Sequence, residues 1–164
     1  MTSLPPFAHV ALIGIGATAV MDAWLVLLKR LGVRTSSFAL VGRWAGHLLR
    51  GRLAHADIAR VRPVRGELAW GWFIHYAIGI AFAALLVEVA GPAWIADPKL
   101  LPALAVGLVT VLAPLCLMQP AMGAGFLASK TPSPWKSCLR SAANHAVFGL
   151  GLYLSAVALA SLPR

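Results

Sequence analysis

Four long apolar segments dominate the chain and predict its main helices. Hydrophobic residues run almost without interruption through about 7–28, 68–90, 101–127 and 141–162. Each segment has the roughly 20 residues that a helix rising 1.5 Å per residue needs to cross a hydrocarbon core about 30 Å thick. They lack the period of two of barrel strands, which need only about 9–11 residues. The pattern therefore predicts four transmembrane helices.

A shorter amphipathic segment lies between the first two predicted spans. In residues 38–52, apolar positions such as Val41, Trp44 and Leu48 recur at helical spacing, while Arg43 and Arg50 lie on the flanks. An apolar stripe bordered by arginines is typical of a helix lying in a membrane interface. We therefore expect an interfacial helix in this loop.

Composition agrees with a membrane protein. Of the 164 residues, 60% are hydrophobic and 12% are charged, and the mean hydropathy is +0.81. Soluble domains carry about 45–50% apolar and about 25% charged residues. The fold class expected is all-α: a polytopic membrane protein with a four-transmembrane-helix bundle, forming a single domain over 1–164.

The basic residues predict the orientation of this bundle. Nine lie between the first and second spans (29–65) and three between the third and fourth (130–140), against Lys99 and Arg164 on the other side. By the positive-inside rule both long loops, including the one with the amphipathic helix, face the cytoplasm, and both termini lie outside it. These loops would meet anionic lipid headgroups. Nucleic acid is not an expected partner, since stacking aromatics and a folded basic domain are lacking.

One polar group per predicted helix falls in the cytoplasmic half of the membrane. Asp22 lies about 10 Å from the cytoplasmic end of its helix, His75 about 12 Å and His145 about 8 Å, counted at 1.5 Å per residue. Asn144 adjoins His145, and Gln119 lies about 16 Å from its end on the same estimate. The matched depths predict a polar layer that all four helices share.

Small residues share helix faces with these polar groups. Positions four apart lie on one helix face. The pattern recurs at Gly14, Thr18 and Asp22, at Gly71, His75 and Gly79, and at His145 and Gly149. Small residues let helices approach closely in lipid. We therefore expect these faces to pack together, with Asp22 contacting His75 or His145 directly or through water.

An ionisable side chain inside a membrane costs at least about 2.5–3.5 kcal/mol on insertion scales and marks a candidate functional site. We expect a small transporter or channel-like subunit, as one copy or as a homo-oligomer, for a proton, a metal ion or a small polar solute. Asp22, His75 and His145 would bind or relay it, because histidine titrates near neutral pH and a carboxylate can orient it. Gln119 and Asn144 would complete the set. The residues do not indicate which metal.

Two alternatives remain open. His75 and His145 could ligate a haem from both sides in an electron-transfer protein, with Gly79 and Gly149 leaving room for the ring. The transport hypothesis needs no cofactor. Alternatively, an accessory or scaffold protein could use the polar layer only to specify helix pairing. An enzyme is not expected, since Gly-x-Ser-x-Gly, His-Glu-x-x-His and phosphate-loop motifs are lacking.

Five blocks of the sequence carry a family resemblance. They are GIGATAVMD, GRWAGH, GELAWGWFIHYAIGI, MQPAMGAGFLASKTP and NHAVFGLGLY, spread over nearly the whole chain. In combination they resemble a family of small bacterial inner-membrane proteins that is known only as a domain of unknown function. The resemblance implies a four-helix protein of the bacterial inner membrane and implies no activity, substrate or site.

Overall fold

The structure is a computed structural model that describes residues 5–33 and 35–161. Within these ranges it is helical and contains no strand, which confirms the all-α prediction. The α-helices are α1 (Pro6–Arg30), α2 (Phe38–Leu48), α3 (Glu67–Ala90), α4 (Leu100–Val109), α5 (Gln119–Met122) and α6 (Pro134–Ala160). Short 3-10 turns occupy Ile58–Arg60, Pro92–Ile95 and Phe126–Ala128.

Four helical stretches of the described chain are long and apolar enough to cross a membrane, as predicted. They are Pro6–Arg30, Glu67–Ala90, Leu100–Met122 and Pro134–Ala160, and an 18-residue window within each has a mean hydropathy of 2.0, 2.0, 2.4 and 1.4 in turn. The third is composite, because a π-helical turn at Ala113–Met118 joins α4 to α5. Pro114 and Pro120 have no amide hydrogen to donate, so the regular α-helical bonding pattern cannot continue through them.

The third span ends earlier than predicted, at Met122 rather than near 127. Gly123 adopts a left-handed conformation with φ of +99°. Its N–H donates to the Pro120 carbonyl at 3.1 Å, and the Ala124 N–H donates to the Gln119 carbonyl at 2.9 Å. A left-handed glycine that closes the last carbonyls in this way is a strong helix stop.

Two other boundaries also correct the prediction. The last helix begins at Pro134 rather than near 141, because proline is tolerated in the first turn, where its missing N–H has no partner to lose. Its predicted end at Leu162 lies outside the described residues. The amphipathic helix α2 ends at Leu48 rather than near 52. Gly51, three residues later, turns the chain with φ of +77°.

The chain divides into two compact units, although a single domain over 1–164 was expected from sequence. Unit 1 comprises the described residues of Met1–Val33, Tyr76–Thr110 and Asn144–Arg164. Unit 2 comprises those of Arg34–His75 and Val111–Ala143. Unit 1 therefore contains most of α1, α3, α4 and α6, and unit 2 contains α2, α5 and the beginnings of α3 and α6. The single domain stays a prediction.

Glycines bring the helices of unit 1 close together. A Cβ placed on Gly14 of α1 would lie 2.5 Å from Ile80 Cα on α3, and one placed on Gly79 would overlap the Thr18 hydroxyl. A Cβ on Gly107 of α4 would lie 2.6 Å from Gly149 Cα on α6. Because glycine has no Cβ, the backbones can touch at these positions, as is common where helices associate in lipid.

Unit 2 has a similar crossing between α2 and the start of α3. A Cβ on Gly42 would overlap the Glu67 carbonyl, and one on Gly71 would overlap the Phe38 carbonyl. Each helix thus uses a glycine to receive the backbone of the other. Helix α2 was expected to lie along the bilayer surface, and that placement stays a prediction.

Candidate functional site

Asp22 forms a hydrogen bond between two helices of unit 1. The Tyr76 hydroxyl of α3 donates to Asp22 Oδ2 of α1 at 2.9 Å. Both side chains are only partly buried. A phenol that donates to a carboxylate makes a charge-assisted bond, which is stronger than a bond between neutral groups. The Asp22 carboxylate of α1 is therefore held in place by Tyr76 of α3.

His145 forms a second inter-helix contact through Thr110. The Thr110 hydroxyl donates to the Gly107 carbonyl at 2.6 Å, and Thr110 Oγ1 lies 2.9 Å from His145 Nδ1. A hydroxyl has one proton to donate, so the imidazole must be the donor in the second bond. Nδ1 of His145 therefore carries a proton, and in the neutral ring Nε2 keeps its lone pair.

A third contact joins α1 to α6. The Trp24 indole donates to Asn144 Oδ1 at 3.0 Å. These three pairs lie in unit 1 and connect α1, α3, α4 and α6. We call them the polar cluster: Asp22, Trp24, Tyr76, Thr110, Asn144 and His145. On the same face of α1 as Asp22, the Thr18 hydroxyl donates to the Gly14 carbonyl one turn earlier at 2.7 Å.

Three other predicted site residues, His75, Gln119 and Gly71, belong to unit 2. His75 stacks on Phe38 with ring centroids 4.2 Å apart and meets Trp72 edge-on at 5.9 Å. Gln119 Oε1 is buried without a hydrogen-bond partner among the described residues. Gly71 packs on α2, as described above. The predicted contacts of Asp22 with His75 or His145 stay predictions.

Unit 2 also contains an ion pair that the sequence did not reveal. Arg43 Nε and Nη2 donate to the two carboxylate oxygens of Glu67 at 2.9 and 2.8 Å. Its Nη1 donates to the carbonyls of Ala59 and Val61 at 3.0 Å each. The hydrogen bond with Glu67 raises the pKa of Arg43 above its ordinary value. The guanidinium therefore stays charged and joins α2, the 58–61 turn and α3.

Among residues 5–33 and 35–161, no group of three or more histidine, cysteine, aspartate or glutamate side chains could hold a metal ion. A pair of histidines does occur in unit 2, where the rings of His47 and His55 meet edge-on at 5.4 Å. Both ring nitrogens of His55 are buried without a partner in the described chain.

Sequence reasoning found one residue of each bonded pair and missed the other. Asp22, Asn144 and His145 were recognised because charged or amide groups are rare in apolar spans. Tyr76, Thr110 and Trp24 were missed because such residues are frequent in membrane helices. One feature of the sequence could have drawn attention to Thr110: it lies four residues before Pro114, and that proline interrupts the helix.

A multi-pass membrane protein with hydrogen bonds linking its apolar helices is the class that these features define. The chain belongs to the family described as protein of unknown function DUF2938, whose model matches residues 11–159. The resemblance found in the sequence is thereby confirmed at the level of a family of unknown function. No curated protein matches the chain, and no solved structure does.

Proposed function

We propose that the protein is a transporter or channel-like subunit of the bacterial inner membrane. A proton, a metal ion or a small polar solute would engage the polar cluster. The observation that supports this is the cluster itself. It contains a carboxylate and an imidazole, each in its own hydrogen-bonded pair, and its three pairs connect four apolar helices of one unit. Ionisable groups in such helices mark solute pathways and proton relays.

The two titratable groups have suitable chemistry for this role. The Tyr76 hydroxyl keeps the Asp22 carboxyl group in position. His145 Nε2 offers a lone pair, since Nδ1 is committed to Thr110. Neutral imidazole nitrogen binds protons and divalent metal ions. The cluster therefore offers one carboxyl group and one imidazole nitrogen to a cationic solute.

Exposure favours transport over a purely structural role. Thr18, which is not part of the polar cluster, is fully buried, as expected of a polar group that only specifies packing. Asp22, Tyr76, Asn144 and His145 are only partly buried. A carboxylate facing hydrocarbon is costly, so its open side must meet a water-filled path or another subunit. We propose a solute path, formed within one copy or between copies of a homo-oligomer.

Flux through the purified protein in liposomes tests this proposal. Wild-type protein should dissipate an imposed pH gradient, reported by an entrapped pH-sensitive dye, or admit Zn²⁺, reported by an entrapped metal dye. Asp22→Asn should lower that flux to the level of empty liposomes, and Tyr76→Phe should lower it in part. Glu88→Gln is the matched control, because Glu88 is exposed at the other end of α3.

Thermal denaturation in detergent should accompany these measurements, so that loss of folding is distinguished from loss of flux. Wild-type flux equal to that of empty liposomes for both solutes would contradict proton and metal transport. Full flux in folded Asp22→Asn would show that the polar cluster is not the path. A haem absorption band in the purified protein would favour the electron-transfer alternative instead.

A further inference from the structure

A groove on unit 2 carries an excess of positive charge. It is lined by His47, Arg50, Arg52, Val61 and Arg62 and has a volume of about 640 Å³. The three arginine side chains come from two separate segments, the turn after α2 and the stretch that follows the 58–60 turn. All three arginines are exposed, whereas His47 is buried, with only 7% of its surface exposed.

Backbone and side-chain bonds hold this groove in place. The N–H groups of Arg50 and Arg52 both donate to the His47 carbonyl at 3.0 Å, so the turn folds back over the end of α2. Gly51 permits that turn through its positive φ of +77°. His47 Nε2 donates to the Arg62 carbonyl at 3.0 Å, because a carbonyl only accepts. One imidazole thus joins the two arginine-bearing segments.

The carboxylates that could neutralise the groove are already occupied. Unit 2 contains two acidic residues, Asp57 and Glu67. Glu67 pairs with Arg43 at 2.8 Å and Asp57 pairs with Arg60 at 3.1 Å. Among the described residues, no carboxylate pairs with Arg50, Arg52 or Arg62. Three like charges converging on one concave surface repel one another unless an anion lies between them.

We propose that this groove binds a phosphate group. Guanidinium groups recognise phosphate through paired N–H bonds, and several of them can share the oxygens of one phosphate. Val61 supplies an apolar wall beside the charged groups. The phosphate could belong to the headgroup of an anionic phospholipid or to a soluble phosphate compound, since both offer the same oxygens. This site is independent of the polar cluster, which lies in unit 1.

Binding to the full-length protein in detergent micelles tests the proposal. Calorimetric titration would use three probes: a short-chain phosphatidylglycerol, the matching phosphatidylcholine, and inorganic pyrophosphate. The triple variant Arg50→Gln/Arg52→Gln/Arg62→Gln should weaken phosphatidylglycerol binding about tenfold or more, because several hydrogen bonds to a charged group are lost. Arg65→Gln/Lys130→Gln/Lys136→Gln removes the same charge from exposed positions outside the groove and should bind as wild type does.

A second variant separates a built site from general electrostatic attraction. Arg50→Lys/Arg52→Lys/Arg62→Lys keeps the charge but loses the paired donor geometry, and it should also bind more weakly. Saturable binding of phosphatidylglycerol alone identifies a lipid headgroup, whereas competition by pyrophosphate identifies a soluble source as well. Equal losses in the groove variant and its matched control, or no saturable binding of either anion by folded wild type, would overturn the proposal.

Discussion

The guanidinium of Arg43 fastens three segments of unit 2 with one side chain. It meets both oxygens of Glu67 and the carbonyls of the 58–61 turn. Its side chain is 12% exposed and that of Glu67 is 18% exposed. Glu67 Oε2 also accepts from the Val64 N–H at 3.0 Å. Each polar atom of the ion pair therefore has a partner in a poorly hydrated place, where an orphaned group is costly.

Removal of Arg43 should destabilise the protein markedly. Arg43→Met leaves the Glu67 carboxylate without its counter-charge and the turn carbonyls without donors, so we expect a loss of about 1–3 kcal/mol in unfolding free energy. Arg60→Met is the matched control, because the Arg60–Asp57 pair is exposed, with side-chain exposures of 88% and 47%. Exposed pairs contribute only about 0–1 kcal/mol. The midpoint of thermal denaturation in detergent measures both.

The double variant Arg43→Met/Glu67→Gln checks the cause. It removes the uncompensated charge and should recover part of the stability lost in Arg43→Met, because residues in one network couple non-additively. If Arg43→Met and Arg60→Met shift the midpoint equally, the Arg43–Glu67 pair does not stabilise unit 2 in the way described.

Single residues differ in how well the sequence announces them. Asp22 was recognisable because nothing near it in the chain could neutralise a carboxylate. Its partner Tyr76 was not, because the two are 54 positions apart and a tyrosine in a span is ordinary. Arg43 was expected to flank the apolar stripe of an amphipathic helix, but its partner was not, since the pattern of α2 gives no sign that Glu67 lies beside it. Long-range pairing needs the packed structure.

Helix α2 depends on close contact with α3. The carbonyl of Glu67 approaches Gly42, and the carbonyl of Phe38 approaches Gly71, so that each glycine faces backbone atoms. Backbone cannot move aside as a side chain can. The crossing is therefore fixed by two positions without a Cβ, one on each helix.

Substitution of Gly42 by alanine should separate the two helices. The new Cβ would overlap the Glu67 carbonyl, and overpacking of this kind costs about 1–3 kcal/mol. Alanine raises intrinsic helix stability by about 1 kcal/mol, which offsets only part of the loss. Gly46→Ala is the matched control in the same helix, because the three atoms nearest to its Cβ would all belong to the Val64 side chain rather than to backbone.

Thermal denaturation should give a clear loss for Gly42→Ala and a smaller one for Gly46→Ala. An unchanged midpoint for Gly42→Ala would show that α2 and α3 do not pack as closely as described. Spin labels on α2 would report separately whether the helix also lies shallowly in the membrane surface.

Helix existence was easier to predict than helix limits. The four apolar runs demanded helices of membrane length whatever their neighbours. The ends instead depend on local conformation: Gly123 stops α5, Gly51 turns the chain after α2, and Pro134 opens α6. A proline or glycine near a boundary is compatible with several end points. The hydrogen bonds that determine where a helix actually ends cannot be read from the apolar pattern.

Charge is distributed unevenly over the whole molecule. The segments of unit 2 contain ten of the 14 lysine and arginine residues of the chain and only two of its five acidic residues. The loop between α3 and α4, by contrast, contains one basic residue, Lys99, which pairs with Asp97 at 2.8 Å. Basic residues in short loops resist translocation across the membrane. The asymmetry therefore gives each loop a predicted side.

Reporter fusions in a bacterial cell test this orientation. Fusions within 30–66 and 127–140 should read as cytoplasmic, and fusions at both termini and within 91–99 should read as periplasmic. The physical reason is the cost of moving twelve basic residues across the membrane, against two on the opposite side, under the positive-inside bias. The loop at 91–99 serves as the internal control, because it lies between two spans and has the opposite expectation. A periplasmic signal from the arginine-rich 30–66 loop would reverse the arrangement, and it would move the phosphate-binding groove away from the cytoplasmic leaflet.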